Sequence, residues 1–156
     1  MARYDWLAID VGTSHTVAVL GAADGRTRQL LFDGTPLLPS AVYAVPDGTL
    51  VVGTEAVHLA RQDPARFEPN PKRRGDEGSV LLGDREVPVV DLIGAVLRQV
   101  AAEAIRVAGG GTAPPSVLTH PVDWGPVRRE VLLAAARQDG LEVLQEIKRN
   151  DSTSKI

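Results

Sequence analysis

Ala8-Ile9-Asp10-Val11-Gly12-Thr13-Ser14-His15-Thr16-Val17-Ala18-Val19 is the stretch that decides the fold. Apolar residues flank a short polar group that contains a glycine, so the stretch reads as a buried strand, a tight turn and a second strand. Gly12 lets a ligand approach the backbone, the amides of Gly12 to Ser14 can point at an anion, and the hydroxyls of Thr13 and Ser14 add donors. Asp10 at the strand end would repel a bare phosphate. Its presence beside the turn therefore points to an intervening hard cation, Mg²⁺ held largely through water, and to a metal-bound polyphosphate as ligand. An ordinary hairpin turn built from Asp, Gly, Thr and Ser reads the same way at this level. The turn is not a Walker loop, and no Gly-x-Gly-x-x-Gly follows a strand.

Working outward, Tyr4 to Ile9, Thr16 to Leu20 and Thr27 to Phe32 form an expected three-strand meander, the last two separated by an Asp24-Gly25 turn signal. Leu37 to Ser40 carries the chain out through Pro36 and Pro39. Ala41 to Val45 and Leu50 to Val52 flank Pro46-Asp47-Gly48 as a hairpin, and Thr54 is placed to cap a helix over Glu55 to Arg61. From Asp63 to Ser79 regular periodicity is lost, and Lys72-Arg73-Arg74 reads either as a solvated basic patch or as a lysine reaching a phosphate. Val80 to Leu82 and Glu86 to Val90 bracket Gly83-Asp84. Asp91 then caps a long amphipathic helix to about Ala108, and Gly109 to Gly111 end it. Ser116 to Thr119 reads as a buried strand, Pro126 to Asp139 as a helix stopped by Gly140, and Leu141 to Leu144 as the start of another strand. Residues 147–156 lack periodicity and read as a disordered tail.

The 156 residues suit one compact domain or one lobe of a larger protein. With 44% hydrophobic residues but only two each of Trp, Tyr and Phe, the core must be built mainly from Leu, Val and Ala. A net charge of -3 gives no pull toward nucleic acid or an acidic membrane. Zero cysteines exclude disulfides and thiolate metal sites, in keeping with a cytoplasmic location. Charges interrupt every long apolar run, which argues against a membrane span. His15, His58 and His120 lack metal-ligand spacing, and no nucleophile elbow supports a serine triad.

Taken in order, Asp10-Val11-Gly12-Thr13-Ser14, Leu38-Pro39-Ser40-Ala41-Val42, Val52-Gly53-Thr54-Glu55-Ala56, Pro71-Lys72-Arg73 and Val117-Leu118-Thr119-His120-Pro121-Val122 resemble the N-terminal ATPase half of the seventy-kilodalton heat-shock chaperone family. Arg128-Arg129 and the run from Ala134 to Val143 extend the likeness, which covers about residues 4–145. The resemblance implies an α/β fold: the first lobe of an actin-like ATPase, with a mixed RNase H-like sheet and helices and an inserted α+β subdomain. Residues 1–37 plus 115–146 would form the inner part and 38–114 the insertion. It also implies ATP or ADP with Mg²⁺ as cofactors. Asp10 matches the acid near the metal's water shell, and Gly12, Thr13 and Ser14 match the phosphate loop. Lys72 matches the phosphate-directed lysine that orients the attacking water. Pro121 matches a proline linked to interdomain signalling, although a proline at a strand end is also a turn device.

His15 stands where the family usually has Asn, and Val122-Asp123-Trp124 replaces an Ala-Tyr-Phe-like stretch. The chain ends before the family's Asn-Glu-Pro segment. The expectation is therefore a truncated lobe, inactive alone, whose parent couples ATP hydrolysis to client-protein folding through client and co-chaperone contacts made elsewhere. A lobe without its mate is also expected to expose apolar surface through which it could form a homodimer. Two alternatives share the loop: a lobe of an actin-like-fold sugar or acetate kinase, and a non-catalytic binding or scaffold module.

Overall fold

The computed structural model describes residues 3–121 and 125–149. Along β1 (Trp6–Val11), Leu7, Ile9 and Val11 are buried while Trp6, Ala8 and Asp10 are half-buried. That period of two puts the aliphatics on one sheet face and Asp10 on the other. β2 (His15–Gly21) pairs antiparallel with β1, Trp6 opposite Gly21 and Val11 opposite Thr16. A Cβ on Gly21 would sit 1.8 Å from the Trp6 indole, so the pairing requires glycine there.

β3 (Thr27–Gln29) pairs with the far half of β2. The expected strand to Phe32 is cut short because Asp33 (φ 54°) and Gly34 (φ 77°) turn the chain back, with Phe32 bridging Thr35. β4 (Leu38–Pro39), expected only as an exit segment, pairs instead with the near half of β2, Leu38 opposite Thr16. The shortness of β3 leaves that half of the edge open.

β5 (Val42–Ala44) and β6 (Leu50–Val52) form the expected hairpin, with Gly48 at φ 95° and the Asp47 carboxylate accepting the Thr49 amide at 2.8 Å. α1 (Thr54–Leu59) is capped by Gly53 at φ 81°, so Thr54 is the first helical residue rather than the cap. The segment from 63 to 79 is more ordered than its composition indicates. It contains 3-10 turns at Pro64–Arg66 and Pro71–Arg74, and between them β7 (Phe67–Glu68) joins the free edge of β5. Such short turns carry no apolar repeat that a sequence could display.

β8 (Ser79–Leu82) and β9 (Arg85–Pro88) form a second hairpin. It leads into α2 (Val89–Val107), which begins before Asp91. Asp91 lies in the first turn and receives the Gln138 amide at 2.7 Å instead of capping the helix. β10 (Ser116–Pro121) lies parallel to β1, α3 (Pro126–Gln138) crosses over, and β11 (Val143–Arg149) lies parallel to β10. The sheet order is β11-β10-β1-β2-β3, with β4 also on β2. Ile147 to Arg149, expected in a tail, pair with Thr119 to Pro121. A polar edge strand gives no apolar pattern by which to find it. Val122 to Trp124 and residues 150–156 lie outside the described residues.

One apolar cluster joins Leu7, Ile9, Leu20 and Leu118 of the sheet to Leu92, Val96, Leu97 and Val100 of α2 and to Leu132 and Ala135 of α3. α2 and α3 pack closely because position 94 is glycine: a Cβ there would lie 2.3 Å from Asp139 Oδ2. A smaller cluster, Ala41, Tyr43 and Ala56 with Val51 and Phe67, fills the space under α1. Among the described residues no helix is long and apolar enough to cross a membrane.

Candidate functional site

The turn between β1 and β2 is tight because the Gly12 amide donates to the His15 carbonyl at 3.0 Å. A Cβ at residue 12 would lie 2.3 Å from that carbonyl oxygen, so only glycine closes the hairpin in this form. The expected cradle of three amides is thereby reduced: the Gly12 N–H is used inside the turn. Among the described residues, the amides of Thr13 and Ser14 take no acceptor. Thr13 is half-buried and Ser14 and His15 are exposed, so the donor-bearing tip faces outward from a rigid base.

Ser40, just after β4, braces the turn from behind. Its side chain is buried, its hydroxyl donates to the Gly12 carbonyl at 2.9 Å, and its amide donates to the Ser14 carbonyl at 2.9 Å. Thr16 Oγ1, fully buried, lies 2.9 Å from the same hydroxyl. The single Ser40 proton is committed to Gly12, so Thr16 is the donor in that pair. Both ends of the loop are thus tied to the strand that leaves the sheet.

The basic run separates on folding. Arg73 and Arg74 are exposed, as the solvated-patch reading expects, whereas Lys72 is buried at 6% exposure. The turn that carries Lys72 is organised by Glu68, itself 3% exposed. Glu68 Oε2 accepts the Asn70 amide at 2.7 Å, and Oε1 accepts Arg74 Nε at 2.8 Å. Hydrogen bonds to Glu68 and then to Glu77 push the Arg74 pKa up. Asp76, two residues further on, is held by Arg128 of α3 at 3.0 Å.

Asn70 joins this turn to the loop. With its amide nitrogen facing the loop, the side chain donates to the Thr13 carbonyl at 2.8 Å and to the Pro69 carbonyl at 3.1 Å. The β1–β2 hairpin brings Asp10, Gly12, Thr13 and Ser14 together, and this contact seats the Lys72 turn against them although some sixty residues intervene. Ser40, Glu68 and Asn70 are structural members of the site that sequence reasoning did not assign. Ser40 was visible only as part of a family-like stretch, and Glu68 and Asn70 lie in the segment whose periodicity is lost.

Asp10 is half-buried on the sheet face opposite the helices. Among the described residues no group of three or more His, Asp or Glu could hold a metal ion. A cage of protein ligands for Mg²⁺ therefore does not fit, but one carboxylate beside a phosphate-type loop does. Mg²⁺ keeps several waters and takes its remaining oxygens from substrate phosphates. A cleft of about 520 Å³ between α2, β6 and the Phe32 turn includes none of these residues in its lining. A concavity of about 360 Å³ is lined by Glu68, Asn70, Arg73 and Arg74, beside the lysine turn.

No protein-family model matches the chain. Curated relatives do. The chain is 30% identical over 162 residues to the chaperone protein HscA homolog of Azotobacter vinelandii and 33% identical to that of Acidithiobacillus ferrooxidans, with 89% of this chain and 26% of each relative aligned. The homolog of Tolumonas auensis is 29% identical over the same shares. The chain thus spans about a quarter of the length of the relatives it matches. These similarities support an Hsp70-like chaperone family, and the mixed α/β architecture is compatible with a lobe of such a protein.

Proposed function

We propose that this chain is the first lobe of a chaperone-type Mg-ATPase, in which ATP binding and hydrolysis are coupled to the folding of client polypeptides in the cytoplasm. The observation that carries the reading is the Asn70–Thr13 contact, which ties the buried-lysine turn to the loop that presents Thr13 and Ser14. An antiparallel meander extended by two parallel, helix-connected strands supports an RNase H-like inner unit. In this reading residues 1–37 and 115–146 form the inner unit and residues 38–114 the outer subdomain.

In this reading the amides and hydroxyls of Thr13 and Ser14 hold phosphate oxygens, and the base of the loop is fixed by Gly12, Ser40 and Thr16. Asp10 is the residue that would hold Mg²⁺, through the metal's water shell. Lys72, a compact positive charge, turns toward the terminal phosphate and helps orient the attacking water. The metal, when bound, neutralises charge that accumulates on the phosphate oxygens. Contacts to the adenosine, to the far side of the phosphates, and to clients and co-chaperones belong to the remaining length that the relatives possess. Binding by this chain alone is accordingly weak and turnover negligible.

Calorimetric titration of the 156-residue chain with ADP, with and without Mg²⁺, tests the reading. The expected result is weak binding strengthened by Mg²⁺, with Asp10→Asn abolishing the Mg²⁺ increment while the protein remains folded. Binding that ignores both Mg²⁺ and Asp10 would overturn it.

A further inference from the structure

Residues opposite each other in the β1–β10 ladder match in exposure. Leu7 and Ser116 are buried, Ala8 and Val117 half-buried, Ile9 and Leu118 buried, and Asp10 and Thr119 half-buried. Adjacent strands lie about 4.8 Å apart and register partners point to the same face. Thr119 therefore stands beside Asp10 on the side away from α2 and α3. Its hydroxyl oxygen is buried yet makes no hydrogen bond. Three other buried Ser and Thr hydroxyls among the described residues behave differently: Thr16, Ser40 and Ser116 each have a partner at 2.9 Å. A buried hydroxyl without a partner is disfavoured, and valine would fill the same volume without that cost.

We propose that Thr119 is a positioning residue for the metal, a second protein anchor of the water shell that Asp10 holds. The proposal rests on the Mg·nucleotide reading of the loop. Water on a divalent cation directs a lone pair to the metal and serves as a donor, and a hydroxyl oxygen beside the carboxylate is a second, weaker acceptor for it. Two acceptors on neighbouring strands would fix the shell in both distance and direction. One carboxylate cannot do so alone.

The test uses the full 156-residue chain with ADP and Mn²⁺ as the spin-active substitute for Mg²⁺, free Mn²⁺ being measured by electron paramagnetic resonance. Thr119→Val is expected to weaken metal-dependent binding about tenfold, the low end of losses from outer-sphere partners. Thr119→Ser should remain near the parent value, and affinity for ADP in EDTA should be the same in all three. Three results would overturn the proposal. Equal Mn²⁺·ADP affinity in Thr119→Val removes this assignment alone, and so does an equal loss with and without metal, which marks a packing role. Absence of Mn²⁺·ADP binding in the parent removes the loop reading as well. If Thr119→Val does not fold, Thr119→Ala against Thr119→Ser gives the same comparison.

Discussion

Replacing Ser40 by alanine removes one oxygen that serves two buried groups. Thr16 Oγ1, fully buried, loses its acceptor, and the Gly12 carbonyl loses the hydroxyl proton at 2.9 Å. Each orphaned buried group costs about 1–3 kcal/mol, with the part-buried carbonyl at the lower end because water can reach it. The expected loss is about 2–4 kcal/mol, a large share of the roughly 5–15 kcal/mol that stabilises a small domain. With a urea slope of about 1–3 kcal/mol/M, the midpoint should fall by about 1–2 M while the slope is unchanged. Thr16→Val keeps shape and leaves the Ser40–Gly12 bond intact, so it should cost only about 0.5–1.5 kcal/mol. The double variant has no stranded threonine hydroxyl, and should therefore be about 1–2 kcal/mol more stable than the sum of the two singles. Strict additivity, or a Ser40→Ala midpoint equal to that of the parent, would refute the buried relay.

Gly12→Ala places a Cβ 2.3 Å from the His15 carbonyl, so the hairpin must open. A loss of about 1–3 kcal/mol is expected in urea melts, with nucleotide affinity falling further than stability. Glu68→Gln keeps volume but removes the carboxylate charge opposite Arg74 and turns an NH2 toward either Arg74 Nε or the Asn70 amide, both donors, for a cost of about 1–3 kcal/mol. Mass spectrometry should then find Lys72 acylated faster than in the parent, and equal rates would contradict the role given to Glu68. Gly94→Ala drives a methyl into the Asp139 carboxylate and should lower the melting temperature, with partial recovery in Gly94→Ala/Asp139→Ala. The Arg106 hydrogen bond holds the Glu103 carboxyl below its ordinary 4.5. A depressed carboxyl pKa contributes stability above the unfolded value and loses it as pH falls through the folded one. Glu103→Gln should therefore melt slightly below the parent at pH 7, with the gap closing below pH 4.5.

The first hairpin was legible because Ile9 and Val17 to Val19 alternate or cluster around a short polar turn, and because Gly12 marks the one residue the closure demands. α2 was legible from its apolar repeat and β10 from its aliphatic run. What stayed hidden has a physical cause in each case. β7 is two residues long and owes its existence to the open edge of β5, and β11 continues through Lys148 and Arg149 because β10 offers unpaired backbone, not because its own side chains prefer a strand. The burial of Lys72 beside exposed Arg73 and Arg74 depends on Glu68 and on Asn70 reaching Thr13, contacts set by tertiary docking that no spacing encodes. The helix starts were misassigned for a local reason. Gly53 and Pro88 occupy the cap positions, and the polar residues that resemble caps, Thr54 and Asp91, lie one and three residues inside.

The central claim is that the Thr13–Ser14 tip and the Lys72 turn respond as one unit to a Mg²⁺-bound nucleotide. Backbone amide shifts of the isotope-labelled chain, recorded while Mg·ADP is added, test this most directly. The account predicts concerted shifts at Thr13, Ser14, Asn70 and Lys72 that follow one binding curve and collapse when Mg²⁺ is chelated. Shifts confined to the cleft between α2 and β6, or a loop that moves while Asn70 and Lys72 stay still, would contradict it.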